Sequence, residues 1–184
     1  MTEAVQSLER DGLEGLSLRA LAQAVGVSKT APYRHFQDKQ ALLIALAAEG
    51  FRMFADALQS GAAPGATENG TSSPALAVTR LLHAYLGFAH AHPALYRLMF
   101  SRLGYSLHSE SCKAHAARAF GFLAAAVGQA QAAGWRSSQD PAGLALSVWA
   151  QAHGWAGLVN DGLIMEEMMG SAENPALLAE EIIR

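Results

Sequence analysis

Residues 17–39 read SLRALAQAVGVSKTAPYRHFQDK and predict two short helices joined by a tight turn. The first helix has apolar residues at the spacing that places them on one face, which are Leu18, Leu21, Ala22 and Val25. Gly26 then ends that helix, where glycine adopts a left-handed backbone at little cost. We expect Val27 to be a buried anchor. Ser28 is a suitable N-cap for a second helix that runs to about His35.

Two short helices across a glycine-containing turn are the pattern of a helix-turn-helix, whose second helix enters the major groove of DNA. The second helix offers donors and an aromatic ring that suit phosphates and base edges, namely Lys29, Thr30, Tyr33, Arg34 and His35. Phe36 is expected to point inward. Pro32 removes one backbone hydrogen bond, so this helix is expected to start irregularly.

A series of residues at fixed spacing around this motif resembles the DNA-binding domain of the TetR family of bacterial repressors. The matching residues are Gly12, Leu13, Leu16, Ser17, Leu18, Arg19, Leu21, Ala22, Gly26, Val27, Ser28, Tyr33, Arg34, His35, Phe36, Lys39 and Leu42. The resemblance implies a three-helix DNA-binding domain at residues 1–46. It also implies a helical ligand-binding and dimerisation domain at residues 47–184.

The same resemblance implies that a palindromic double-stranded operator is bound by a homodimer. The residues expected to contact it are Ser17, Arg19, Ser28, Lys29, Thr30, Tyr33, Arg34, His35 and Lys39. For Ser17 the alternative is a plain helix cap, and for Lys39 it is a solvated side chain. A small effector would favour a conformer in which the two reading helices are misspaced, which lowers DNA affinity.

Charge is scarce along the whole chain, which has 51% hydrophobic and 16% charged residues and a formal net charge of −3. Even residues 1–50 hold five basic side chains against six acidic ones. A general polybasic nucleic-acid binder is thereby excluded, and any DNA contact must come from a local patch that dimerisation doubles. We therefore expect strongly salt-dependent binding.

Helical periodicity continues through the rest of the chain, with no β pattern of note, so the predicted fold class is all-α. Helices are expected at residues 2–10, 39–60, 74–90, 94–101, 110–133, 141–160 and 175–183. Asp38 and Asp140 are candidate N-caps, and Pro141 suits the first position of a helix. Residues 61–74 read as a loop rich in Gly, Ala, Ser, Thr and Pro.

Trp149, His153 and Gly154 match the Trp-x-x-x-His-Gly signature of one TetR-type C-terminal domain. Trp149 and His153 share a helix face, either as a packed pair or against an effector pocket. Gly154 and Gly157 would allow another helix to approach closely, so this helix and residues 175–183 are expected at the dimer seam. The candidate ligand contacts are Tyr85, Phe88, Met99, Phe100, Phe120, Leu123, Trp149 and His153.

Other kinds of site have little support. Cys112 is the single cysteine, which excludes an intramolecular disulfide and is more consistent with an inert thiol than with a redox sensor. His83 and His90 lack a recognised metal-binding spacing, and no catalytic motif is present, so we expect no metal, no cofactor and no enzyme.

Residues 141–160 contain polar side chains and glycines, so a membrane span is not expected, and the N-terminus does not resemble a signal peptide. A cytoplasmic location is expected. A helical ligand-binding or scaffold protein that does not bind DNA, and a small helical enzyme, are the remaining alternatives.

Overall fold

The computed structural model describes four parts of the chain, which are residues 1–63, 74–101, 109–163 and 183. Its α-helices are Thr2–Gly15 (α1), Leu18–Ala24 (α2), Lys39–Ala62 (α3), Leu76–Ala91 (α4), Pro93–Met99 (α5), Glu110–Ala132 (α6) and Pro141–Asn160 (α7). One short 3₁₀ helix, Ala31–Arg34, lies between α2 and α3. The described parts contain no β-strand, and the all-α fold class is confirmed.

Three predicted helix starts are capped by the predicted side chains. Ser17, Asp38 and Asp140 each accept a hydrogen bond from the backbone amide three residues later, at 3.1, 2.8 and 2.7 Å. Such caps satisfy amides that have no partner within the helix. Pro141 then occupies the first turn of α7, and that helix ends at Asn160, where the sequence predicts its end.

The chain divides into two compact units, and the first comprises Met1–Met53 and His92–Ala116. Helix α5 packs against α1 in this unit. It also lies close to α3 at Gly50, where a Cβ atom would stand 2.7 Å from the Met99 sulfur. The leucines buried in this unit include Leu8, Leu16, Leu42, Leu46, Leu95 and Leu98.

The second unit comprises Phe54–Ala91 and Ala117–Arg184. Helices α4 and α7 pack together, and the Asn160 side-chain amide donates to the carbonyl of Ala89 at 3.1 Å. Helix α7 turns one side inward, on which Leu144, Ala145, Val148, Ala152 and Ala156 are buried. The burial of this stripe follows the helical repeat, as expected for a helix that packs on a core.

Several local predictions are corrected by the structure. The first helix runs on to Gly15, across a kink at Gly12 with a φ of +68°. Val25 and Val27 are not buried, because their side chains are 52% and 46% exposed. The helix predicted at residues 28–35 is reduced to the 3₁₀ turn.

Some sequence predictions fall outside the described residues. These are most of the loop at 61–74 and nearly all of the helix at 175–183.

Candidate nucleic-acid interface and effector site

The turn after α2 is built as its glycine predicts. Gly26 has a φ of +71°, and its amide donates to the carbonyl of Gln23 at 3.2 Å. The amide of Val27 donates to the carbonyl of Ala22 at 2.9 Å. This pair of hydrogen bonds is the Schellman motif, which ends a helix sharply and redirects the chain. The turn therefore sends the next residues away from the axis of α2.

Residues 28–36, which we call the recognition segment, follow this turn. Two amides in succession donate to the Pro32 carbonyl, from His35 at 3.0 Å and from Phe36 at 2.9 Å. The hydroxyls of Ser28 and Thr30 lie 3.2 Å apart, so Ser28 is not acting as a cap for a longer helix. The regular part of the segment is the 3₁₀ helix Ala31–Arg34, and Pro32 lies in its first turn.

All nine residues predicted to contact DNA have exposed side chains. Tyr33 is the clearest case, because 54% of this large aromatic residue is exposed. Phe36 is half-buried, in contrast to its exposed neighbours. The structure thus places the polar residues of the recognition segment, together with the start of α2, where a ligand could reach them.

Three of the six acidic residues in residues 1–50 have partners outside the recognition segment. Asp11 is paired with Arg10 at 2.8 Å, and the hydrogen bonds from Arg10, joined by one from Ser7, lower the pKa of Asp11. Glu9 is bonded to backbone amides and Glu49 to Arg52. None of these three carboxylates is paired with Arg19, Lys29 or Arg34.

The basic side chains of α2 and the recognition segment differ from Asp11 and Glu49, because they form no ion pair in the part of the chain that the structure describes. Within the described ranges, no carboxylate forms an ion pair with Arg19, Lys29 or Arg34. Such groups retain their charge for phosphate contacts. They form the local patch that the sparse overall charge requires.

Lys39 has a structural partner. Its ammonium group donates to the carbonyl of Leu13 at 2.5 Å, which ties the start of α3 to the end of α1. The side chain stays exposed, so this bond is compatible with a phosphate contact from the remaining two donors.

In the second unit, an aromatic cluster contains a hydrogen-bonded polar pair. The Tyr85 hydroxyl lies 3.5 Å from Nδ1 of His153, and only 2% of Tyr85 is exposed. Phe54 meets the Tyr85 ring edge-on, with the ring centroids 4.9 Å apart. Burial lowers the pKa of His153, so its imidazole is neutral near pH 7.

The aromatic contacts continue along α7. The Trp149 and His153 ring centroids are 6.0 Å apart, as expected for residues one helical turn apart. Phe120 meets Trp149 edge-on at 6.2 Å and is 40% exposed. Two further ligand candidates, Phe88 and Leu123, are buried in the same unit. Six of the eight candidate ligand contacts therefore belong to one compact unit.

The other two candidates, Met99 and Phe100, belong to the first unit. Met99 is buried beside Gly50, and the Phe100 ring packs against Phe51 and Tyr96 with centroids 5.3 and 4.8 Å apart. Both side chains are occupied in anchoring α5, which is a packing role.

Comparison with protein families gives a match over each half of the chain. Residues 1–46 match the bacterial regulatory proteins of the tetR family, and residues 78–183 match the tetracyclin repressor-like C-terminal domain. The chain belongs to the TetR family. It is therefore a DNA-binding transcriptional regulator and not an enzyme.

Solved structures agree with the TetR-family fold. A protein of unknown function from Rhodococcus sp. RHA1 is 33% identical, with a TM-score of 0.77 over 100% of this chain and 91% of its own. The regulator PfmR of Thermus thermophilus is 21% identical, with a TM-score of 0.69 over 99% and 95%. AibR, solved with isovaleryl coenzyme A and operator DNA, is 18% identical, with a TM-score of 0.64 over 98% and 92%. Comparison with curated proteins gives no match.

Glu9 is a residue of this TetR-family chain that sequence reasoning missed. Its carboxylate accepts hydrogen bonds from the amides of Ala94 and Leu95, both at 2.9 Å. These amides belong to the first turn of α5, which has no hydrogen-bonding cap from its own N-cap side chain. The sequence contained one indication of this contact, because a helix that starts at His92-Pro93 has no capping side chain of its own. The residue that supplies the cap, however, lies 85 residues away in the chain.

The structure also bears on the rejected kinds of site. Among the described residues, no three His, Cys, Asp or Glu side chains lie where they could hold a metal ion. Cys112 is buried, and its burial raises the pKa of the thiol, which disfavours the reactive thiolate. In the described helices, none is long and apolar enough to span a membrane.

The neutral state of His153 predicts a pH dependence of stability. Because the folded pKa lies below that of the unfolded chain, about 6.5, the unfolded state binds more protons between the two values. Stability should therefore fall as the pH drops through about 6.5 and level off below the folded pKa. Urea unfolding of the wild type and of His153→Phe between about pH 8 and pH 5 measures this. An equal loss in both proteins would contradict the assignment to His153.

Proposed function

We propose that this TetR-family protein is a ligand-responsive repressor that binds a palindromic operator as a homodimer. The DNA-binding part of this proposal is supported by the exposed surface of α2 and the recognition segment. Its Arg19, Lys29 and Arg34 have no carboxylate partner in the described structure. Residues 1–46 would form the reader, and residues 47–184 would receive the effector and dimerise.

The exposed side of α7 supports the homodimer. Opposite its buried stripe, Leu146, Ala150 and Leu158 are exposed, although they are apolar. Among the residues that the structure describes, a Cβ atom built at Gly154 or Gly157 would have no neighbour within 4 Å. A second copy of α7 could therefore approach closely there, with residues 175–183 completing the seam. Two-fold symmetry would place the two readers about 34 Å apart, one turn of DNA.

The aromatic cluster supports a small, mostly apolar effector. Tyr85 and the neutral His153 supply a hydrogen-bonding pair inside an apolar environment, which suits one uncharged polar group on the ligand. The similarity to AibR, which was solved in complex with isovaleryl coenzyme A, makes an acyl group a reasonable class to test. Trp149, His153 and Gly154 would then mark the Trp-x-x-x-His-Gly type of domain. A cytoplasmic location is part of this proposal.

The deciding experiment is selection of bound duplexes from random DNA, followed by footprinting on the DNA upstream of the protein's own gene. We expect a palindrome with half-sites one turn apart, and derepression of a reporter when the gene is deleted. Recovery of no specific duplex would contradict the repressor proposal and favour a helical ligand-binding or scaffold role.

Operator binding is expected to depend steeply on salt. Three uncommitted cations in each of two readers would neutralise about six phosphates, which corresponds to a log–log slope of about −5. Affinity should fall about a thousandfold between about 50 and 200 mM salt. Fluorescence anisotropy titrations with the selected duplex measure the slope. An affinity that barely changes with salt would contradict the role assigned to Arg19, Lys29 and Arg34.

A further inference from the structure

One hydrogen bond joins the two ends of the segment that carries the predicted DNA contacts. The ammonium group of Lys39, at the start of α3, donates to the carbonyl of Leu13, 26 residues earlier in the chain. Ser17, which caps α2, lies four residues after Leu13, and the recognition segment ends at residue 36, three residues before Lys39. The bond therefore closes a loop of the chain, and the other eight residues predicted to contact DNA lie within that loop.

The acceptor of this bond lies in the short turn that follows the kink in α1. Gly12 has a non-helical backbone with a φ of +68°, so residues 13–15 form a separate turn before α2 begins. The last carbonyls of a helix have no partner within it and carry partial negative charge, which a nearby cation stabilises. The last turn of α1 contains no basic residue, so Lys39 supplies this cation from α3.

The chain is fixed on both sides of the bond. Leu16 is fully buried, its amide donates to the Gly12 carbonyl at 3.2 Å, and Ser17 then caps α2. On the other side, Asp38 caps α3 through a hydrogen bond of 2.8 Å, directly before Lys39. A hydrogen bond from a charged donor is stronger than one between neutral groups. The start of α2 is thereby held to the start of α3, which follows the recognition segment.

We propose that Lys39 is a positioning residue, which holds the start of α2 and the end of the recognition segment in the arrangement that binds DNA. Its ammonium group acts through the Leu13 carbonyl, while Arg19, Lys29 and Arg34 bind the phosphates. This arrangement is present before DNA arrives, and such preorganisation raises the apparent affinity. The inference rests on the proposed operator binding by the reader.

The test compares Lys39→Met with Lys29→Met, a matched control that removes an exposed cation from the recognition segment. The probe is the duplex recovered by selection with the wild type, titrated at several salt concentrations. Lys39→Met should raise the Kd about fivefold or more, because a smaller fraction of the protein is preorganised, and it should keep the wild-type salt slope. Lys29→Met should instead flatten the slope by about two, since each of two readers loses one phosphate contact. Lys39→Arg should restore the Kd to within about twofold of the wild type, because a guanidinium also donates to a carbonyl.

A measurement on the wild type keeps the proposal testable if Lys39→Met misfolds. Acylation by an N-hydroxysuccinimide ester, followed by mass spectrometry, compares the reactivity of the two lysines without DNA. Lys39 should react at least about threefold more slowly than Lys29, because its amine must first leave the Leu13 carbonyl.

The possible outcomes separate this role from its rivals. A salt slope that flattens by about two in Lys39→Met would identify a phosphate contact. An unchanged Kd in that variant, or equal acylation of the two lysines, would identify a solvated side chain. Each of these results would overturn the positioning role alone. Failure of the wild type to recover any duplex would overturn the operator proposal as well.

Discussion

A Glu9→Ala variant is expected to lose about 3 kcal/mol of unfolding free energy, a large share of the total for a protein of this size. The carboxylate of Glu9 accepts both free amides at the start of α5. Removing it leaves Ala94 and Leu95 with unsatisfied donors in a partly buried place, at about 1–3 kcal/mol for each group. Urea denaturation followed by circular dichroism measures the loss.

Two variants separate this cap from a general charge effect. Glu9→Gln keeps one carbonyl oxygen and should lose roughly half as much stability. Glu14→Ala removes an exposed carboxylate from the same helix and should change stability by less than about 0.5 kcal/mol. Amide exchange at Ala94 and Leu95 should accelerate only in the Glu9 variants. Equal stability of Glu9→Ala and Glu14→Ala would show that α5 does not depend on this carboxylate.

The second large effect is expected from charges on the exposed side of α7. In the proposed dimer, Leu146→Asp combined with Leu158→Asp places four carboxylates in an apolar seam, where unpaired charges are strongly destabilising. The variant should sediment as a monomer, since both residues are exposed in the single chain and their replacement leaves its core intact. A monomer contacts one half-site, so affinity for the selected duplex should fall at least about a hundredfold and the salt slope should halve.

The matched control is Gln129→Asp, which adds a carboxylate at an exposed position of α6. It should remain dimeric and bind the duplex with little change. Analytical ultracentrifugation and anisotropy titration give the two readouts independently. A double variant that stays dimeric would place the seam elsewhere, while a monomer with full affinity would contradict the need for two readers.

Local capping was the part of this structure that the sequence predicted well. The caps formed by Ser17, Asp38 and Asp140 could be predicted because each hydrogen bond joins residues only three positions apart. The left-handed Gly26 is readable for the same reason. Such features depend on neighbouring residues and need no knowledge of the fold.

Burial in the reader was predicted less well. Periodicity predicted that Val25 is buried, and Val27 was predicted to be a buried anchor after the turn, yet both are about half exposed. Whether an apolar residue is buried depends on what packs over it, and the short 3₁₀ turn leaves that place open. Prediction of the candidate ligand contacts has the same limit. Composition identifies apolar side chains, but it does not determine to which compact unit each side chain belongs.

The sequence by itself determined the all-α class, the capped start of α2 with its glycine turn, and the membership of the TetR family, since these depend on residue types at short, fixed spacing. Tertiary structure alone decided that Glu9 caps α5 and that Tyr85 meets His153. These contacts join residues that are distant in the chain. Only the folded backbone sets such distances and decides which partner each charge obtains.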